Sequence, residues 1–167
     1  MKLKISVLLL FMVACSCKQL VESKTERDGE PDVFSVSESN NDMNEAMKMA
    51  RSNLHLFIEA LERDNPKHEY FAVKQKFSAL ENDEHIWVGN IIIENEELSG
   101  VVNNVPVYTT KVKLGDTIKI NKERISDWMY FDDGVVRGGY TIRVIRESLS
   151  DKEKEAFDYE NGLIFDD

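Results

Sequence analysis

The clearest hydrophobic pattern starts at Met43. Met43, Met47, Ala50, Leu54, Phe57, Ile58 and Leu61 recur at the three- and four-residue spacing that places them on one face of a helix. Asp42-x-x-Glu45 supplies a capping-box start, and Asn65-Pro66 ends the run. A helix with one apolar face has to cover a sheet. After Pro66 the period drops to two. Residues 70–77 alternate, with Phe71, Val73 and Phe77 on one side and Lys74 and Lys76 on the other. Residues 85–94 are rich in β-branched side chains and turn at Asn95-Glu96-Glu97 into 98–102. Asn103-Asn104-Val105-Pro106 reads as a loop, Leu114-Gly115-Asp116 as a turn into 117–121, and residues 124–131 as a strand or short helical turn. Residues 135–146 read as a last strand broken by Gly138-Gly139. Ser150-x-x-Glu153 caps a short helix to about Tyr159. The order predicts an α+β domain over residues 42–160, with the N-terminal helix packed on a mostly antiparallel sheet and residues 161–167 as a tail.

The first seventeen residues follow another pattern. Lys2 and Lys4 precede an apolar run from Ile5 to Ala14, too short for the roughly 20 residues that span a bilayer. Small residues then lead into cysteine, as at the end of a secretory signal. This ending resembles the lipobox of bacterial lipoproteins, in which the cysteine after a small residue receives diacylglycerol and becomes the new N-terminus. Cys17 has Ser16 and Ala14 one and three residues before it and is the first choice. Cys15 has Ala14 and Met12 at those positions and is the alternative. Residues 1–17 are therefore expected to be a lipoprotein signal, which would place the chain in the cell envelope, on the periplasmic or outer surface, with the membrane as partner through its lipid anchor. Residues 18–41 are polar, Ser-rich and without period. They are expected to form a flexible linker reaching roughly 25–30 Å.

Composition narrows the function classes. The chain has 21 basic and 31 acidic residues, and loss of Lys2 and Lys4 with the signal takes the net charge from −10 to −12. Such acidity argues against nucleic acid as a partner, because no surplus of Lys or Arg is present to displace counterions. It also disfavours adhesion of the whole body to anionic headgroups. Both cysteines lie before residue 18, which excludes a disulfide, a cysteine nucleophile and a thiolate metal site from the domain.

Several short motifs fall in a recognisable order. They are Lys74 and Phe77, Glu84-His85-x-Trp87, Gly100, Asn104-x-Pro106, Gly115-Asp116, Ile125-Ser126-Asp127-Trp128-Met129, and Gly138-Gly139-Tyr140-Thr141-Ile142-Arg143. Together, over about residues 71–146, they resemble the bacterial domain of unknown function typified by YegJ. The resemblance implies an α+β domain, often secreted, and brings no assigned activity.

Candidate chemistry is sparse. His55 is expected at the edge of the helix–sheet contact and His68 in an exposed polar loop. His85 is the notable histidine, because a neutral-range pKa suits proton transfer. Its neighbour Glu84 points to the opposite face of a strand, so the two form no dyad. No His-x-His or His-x-x-x-His spacing exists, and neither a metal nor a cofactor is implied. Trp87 shares strand parity with Ile91 and Ile93, which predicts burial under the first helix. Trp128 is expected at the sheet edge beside Asp127, with Arg143 within reach of an Asp127–Arg143 ion pair. His85, Trp87, Asp127, Trp128 and Arg143 are thus the candidate binding residues, with no catalytic residue assigned. The leading expectation is a membrane-tethered lipoprotein with a non-catalytic binding domain and a protein partner. The alternative is a hydrolase-like enzyme using His85, Asp127 and Arg143 in a cleft.

Overall fold

A computed structural model describes residues 20–27, 30–37, 39–79 and 83–166. The expected signal, with Cys15 and Cys17, lies outside the described residues. The expected linker is not structureless. Val21–Arg27 (β1) and Glu30–Val36 (β2) pair as an antiparallel hairpin, and Phe34 meets Phe157 edge-on at 5.9 Å. The alternation of Val33, Phe34 and Val36 with polar residues was too short and too diluted by charge to read as a strand.

The first helical pattern folds as two helices, α1 (Asn41–Ser52) and α2 (Leu54–Glu62). The cap is Asn40 rather than Asp42: its Oδ1 accepts from the Met43 amide at 2.9 Å. Asn53 interrupts the run at φ −101°, ψ 11°.

Six strands then form one antiparallel sheet. They are β3 (His68–Phe77), β4 (Glu84–Glu94), β5 (Glu97–Val102), β6 (Thr117–Lys119), β7 (Ile125–Asp132) and β8 (Val135–Gly138), in the order β6-β5-β4-β3-β7-β8. Residues 140–147, expected to continue the last strand, instead form α3 (Tyr140–Glu147). Gly138 and Gly139 reverse the chain, with φ of +75° and +65°. A Cβ on Gly138 would stand 2.2 Å from the Trp128 carbonyl oxygen, so only glycine lets the turn close on β7. The C-terminal helix α4 (Asp151–Asn161) carries the expected Ser150–Glu153 capping box.

Both faces of the sheet are covered. On one face Ala50 and Phe57 pack on Val73, Val88, Ile91, Leu98, Ile125 and Trp128. On the other, Val136, Ile142 and Leu163 gather Trp87, Met129, Phe131, Phe157 and Phe165. The expected tail therefore packs on the body as far as it is described: Leu163 is buried and the Ile164 carbonyl accepts from Val136 at 2.8 Å. The sheet and helices make the domain α+β, as the sequence pattern predicts.

Bulges decide which side chain meets which face. Between Gly89 and Ile92 the β4 register slips by one residue against β5, at Asn90 with φ +48°. Parity therefore changes there. Val88 and Ile91 share the helix-covered face, while Trp87 turns to the other. The same device on β7 shifts the register at Ser126, since Lys74 pairs with Asp127 and Gln75 with Ile125. Ile125 and Trp128 both enter the core, and Ser126 and Asp127 both turn toward the opposite face.

Candidate functional site

Three strands bring Trp87, Lys74 and Asp127 side by side, because Lys74 pairs with Trp87 on β4 and with Asp127 on β7. The Lys74 ammonium lies 5.1 Å from the centre of the Trp87 ring, and it donates to Thr141 Oγ1 at 3.2 Å. Asp127 is fully buried. Its Oδ1 accepts from the Trp128 and Tyr140 amides at 2.8 and 3.0 Å, and its Oδ2 accepts from the Thr141 amide and hydroxyl at 2.8 and 2.6 Å. The carboxylate thus closes the first turn of α3, where unsatisfied amides and the helix dipole favour a negative group. Burial pushes the Asp127 carboxyl above its ordinary range, against Lys74 and the donated hydrogen bonds. Burial likewise lowers Lys74, which Asp127 partly restores.

His85 lies next along the same face, paired across β3 with Lys76. Its Nδ1 is 2.7 Å from Ser126 Oγ, and Ser126 Oγ donates to the Lys74 carbonyl at 3.2 Å. A hydroxyl carries one proton and a carbonyl only accepts. Both bonds hold together when His85 Nδ1–H is the donor and its second nitrogen is bare. Burial, and then Lys74 and Lys76, hold His85 down to about 4, so it is neutral at pH 7. Ser126 is buried.

The other sequence candidates separate from this cluster. Trp128 is 2% exposed on the opposite face, where its Nε1 donates to the Ala50 carbonyl at 2.8 Å. The expected placement of the two tryptophans is reversed, because the β4 and β7 bulges exchange their faces. No Asp127–Arg143 pair forms. Arg143 donates to the Gly138 and Val136 carbonyls at 3.0 and 3.1 Å and lies over Phe165 at 4.6 Å, since residue 143 is on a helix and not on a strand. Glu84 does point away from His85. Its carboxylate accepts from the Val107, Tyr108 and Thr109 amides at 2.6, 2.9 and 2.8 Å. Its role as a loop anchor could not be read from the sequence, because a single acid at the start of a strand gives no signal for a partner more than twenty residues away.

A second feature was also missed. A cleft of about 450 Å³ opens between α2 and the β7–β8 edge, lined by Leu56, His68, Trp128, Tyr130, Arg137 and Tyr140 among others. His68 is not exposed as expected: its side chain is 8% accessible, 3.6 Å from Asp132, and its ring is 5.0 Å from that of Tyr130. His55, in contrast, is exposed on α2. Among the described residues no group of three or more His, Cys, Asp or Glu is placed to hold a metal ion.

Comparison with known proteins adds a family and no activity. The uncharacterised protein YegJ of Escherichia coli (strain K12) is 38% identical over 100 residues, covering 60% of this chain and 64% of YegJ. A Neisseria meningitidis serogroup B protein, named for ankyrin repeats, is 28% identical over 147 residues, covering 83% of this chain and 58% of that protein. The chain thus spans less than two thirds of either relative. No solved structure matches. The profile of an uncharacterised protein conserved in bacteria, DUF2314, matches residues 40–165, the whole span from the α1 cap to the docked C-terminal segment, and the chain belongs to that family.

Proposed function

We propose that this protein is a non-catalytic binding domain, held at the cell envelope by a lipid on Cys17 or, failing that, Cys15. The observation that carries the binding reading is the state of Asp127. Its carboxylate accepts four hydrogen bonds, three from the first turn of α3 and one from the Trp128 amide, leaving it no part in proton transfer to a ligand. The Ser126–His85 contact is closed in the same sense, with the serine buried and its proton directed to a carbonyl. The alternative, a hydrolase-like set of His85, Asp127 and Arg143, has less support because Arg143 faces Phe165. The cleft beside α2 is the better ligand surface. It combines aromatic edges with the Arg137–Asp132 pair and the exposed Leu56 at its mouth. The lipid anchor is supported by the charged start, the short apolar run and the small residues before Cys17.

The test has two arms. Metabolic labelling with a fatty-acid analogue marks the wild type and not a Cys15→Ser, Cys17→Ser variant; equal labelling of both removes the anchor. Capture from solubilised membranes, read by mass spectrometry, compares wild type with Leu56→Glu and His85→Ala. Loss of a partner with Leu56→Glu alone supports the cleft. A hydrolytic activity abolished by His85→Ala overturns the non-catalytic reading.

A further inference from the structure

We propose that the β5–β6 connection is a bilayer contact, a preformed apolar loop that rests on anionic headgroups. Residues 103–116 contain neither helix nor strand, an uncommon length for a connection inside a compact domain. The loop is nevertheless fixed. The Glu84 carboxylate holds three successive amides of it. Asn104 Oδ1 accepts from the Trp87 amide at 2.9 Å, and Gly115 donates to the Val102 carbonyl at 2.9 Å. Val112 is buried with Phe77, Ile86 and Val102.

A loop held this way cannot fold its outer side chains inward. Val107, Tyr108 and Leu114 stay 44%, 51% and 51% exposed. Several apolar side chains left exposed on one fixed loop are candidates for a contact. Charge indicates which contact. Residues 98–115 contain no Asp or Glu in a chain of net charge −10, and Lys111 and Lys113 are exposed there; the acid that ends the loop, Asp116, turns back to accept from the Lys113 amide at 2.8 Å. Aliphatic groups, a tyrosine and lysines on one loop fit the headgroup boundary, where tyrosine keeps its hydroxyl in water and each lysine gains about fivefold in affinity for an anionic surface.

The occupant is a bilayer rather than a protein groove because of chain length. This step rests on the lipid-anchor reading. The β1–β2 hairpin takes up most of the expected linker, so only Lys18 and Gln19 separate Cys17 from Leu20, which is buried. Three residue steps span at most about 11 Å. A lipid on Cys17 therefore keeps the body against the headgroups, where an exposed apolar loop carrying Lys111 and Lys113 can meet them.

The test uses the mature chain starting at position 17 with Cys17→Ser, so that no acyl chain contributes. It is sedimented with vesicles containing phosphatidylglycerol and, separately, with pure phosphatidylcholine vesicles. Wild-type loop sequence binds the anionic vesicles and is displaced by salt. Tyr108→Asp with Leu114→Asp, and Lys111→Glu with Lys113→Glu, each weaken binding by about tenfold or more, while Tyr159→Asp on exposed α4 does not. Melting curves within a few degrees of wild type confirm that these exposed positions leave the fold intact. No binding to anionic vesicles, or binding insensitive to both loop variants, overturns the proposal. Equal weakening by Tyr159→Asp overturns it too, as a charge effect of the whole body. Acyl labelling of the natural chain without loop-dependent vesicle binding sinks the loop contact and leaves the anchor. Loop-dependent binding by a chain that is not acylated in cells does the reverse.

Discussion

The Thr141 hydroxyl donates to Asp127 at 2.6 Å, and through that bond and the Tyr140 and Thr141 amides a strand residue caps a helix that begins thirteen residues further along the chain. The same hydroxyl accepts from Lys74. Lys74, Thr141 and Asp127 thus join β3, α3 and β7 in one buried polar chain, and its members depend on one another.

Removing the carboxylate should be costly. Asp127→Ala leaves buried donors without an acceptor and Lys74 without its counter-charge. The expected loss is about 3–5 kcal/mol in urea unfolding. Arg143→Ala, at a partly exposed residue bonded to carbonyls, should cost about 1 kcal/mol. Equal losses would show that Asp127 is no more embedded than a surface staple.

His85 predicts a pH dependence of stability. Its folded value lies at about 4 and its ordinary value at 6.5. Below about pH 6.5 the unfolded chain takes up a proton that the folded chain refuses until near pH 4. Stability contributed by neutral His85 is present above 6.5 and is lost as pH falls through that window, by up to roughly 3 kcal/mol. The groups acting on the ring are Lys74, Lys76, Arg51 and the opposing Asp83. Urea midpoints measured between pH 4 and 7 should slope downward on acidification. In His85→Asn the slope should flatten, and an unchanged slope would assign it to other groups.

The two tryptophans should separate in quenching. Trp128 is sealed under α1 and α2 with Phe57 5.7 Å from its ring, while Trp87 is only partly covered. In the single-tryptophan variants, Trp87→Phe should leave an indole well shielded from acrylamide, and Trp128→Phe should leave one that quenches faster. Trp128→Ala should lose about 3–5 kcal/mol. Faster quenching of Trp128 would contradict its place in the core.

Glu84 should govern the β5–β6 loop and little else. Glu84→Ala removes the acceptor shared by the amides of Val107, Tyr108 and Thr109. Hydrogen exchange at those three amides should accelerate by tenfold or more while amides in the centre of β3 keep their protection. Uniform acceleration would mean that the loop and sheet open together.

How much was legible varied with how local the information was. The Ser150–Glu153 box could be read because both partners lie within one turn. Strands β3, β4 and β5 could be read because alternation is a property of neighbours. Gly138-Gly139 was recognised as a break, but nothing local says that Tyr140 onward turns helical: β-branched Thr141, Ile142 and Val144 favour a strand. The helix forms because Asp127, a distant residue, holds its first amides. Of the candidate site residues, the structure brings His85, Trp87 and Asp127 onto one face around Lys74, although Trp87 was expected under the first helix, and Lys74, Ser126 and Thr141, which join them, were not candidates. Trp128 and Arg143 were misplaced.

By itself the sequence determined the α+β class, the separation of an apolar start from an acidic body, and the absence of cysteine chemistry after residue 17. These follow from composition and from periods of two and 3.6, which need no knowledge of long-range contacts. Tertiary structure decided which face each candidate occupies. One extra residue at Asn90 and one at Ser126 reverse the parity of everything beyond them. A bulge is fixed by the register of the partner strand, information that lies tens of residues away along the chain, and so it sends Trp128 into the core, leaves Trp87 over Lys74, and converts Asp127 from a presumed site acid into the cap of α3.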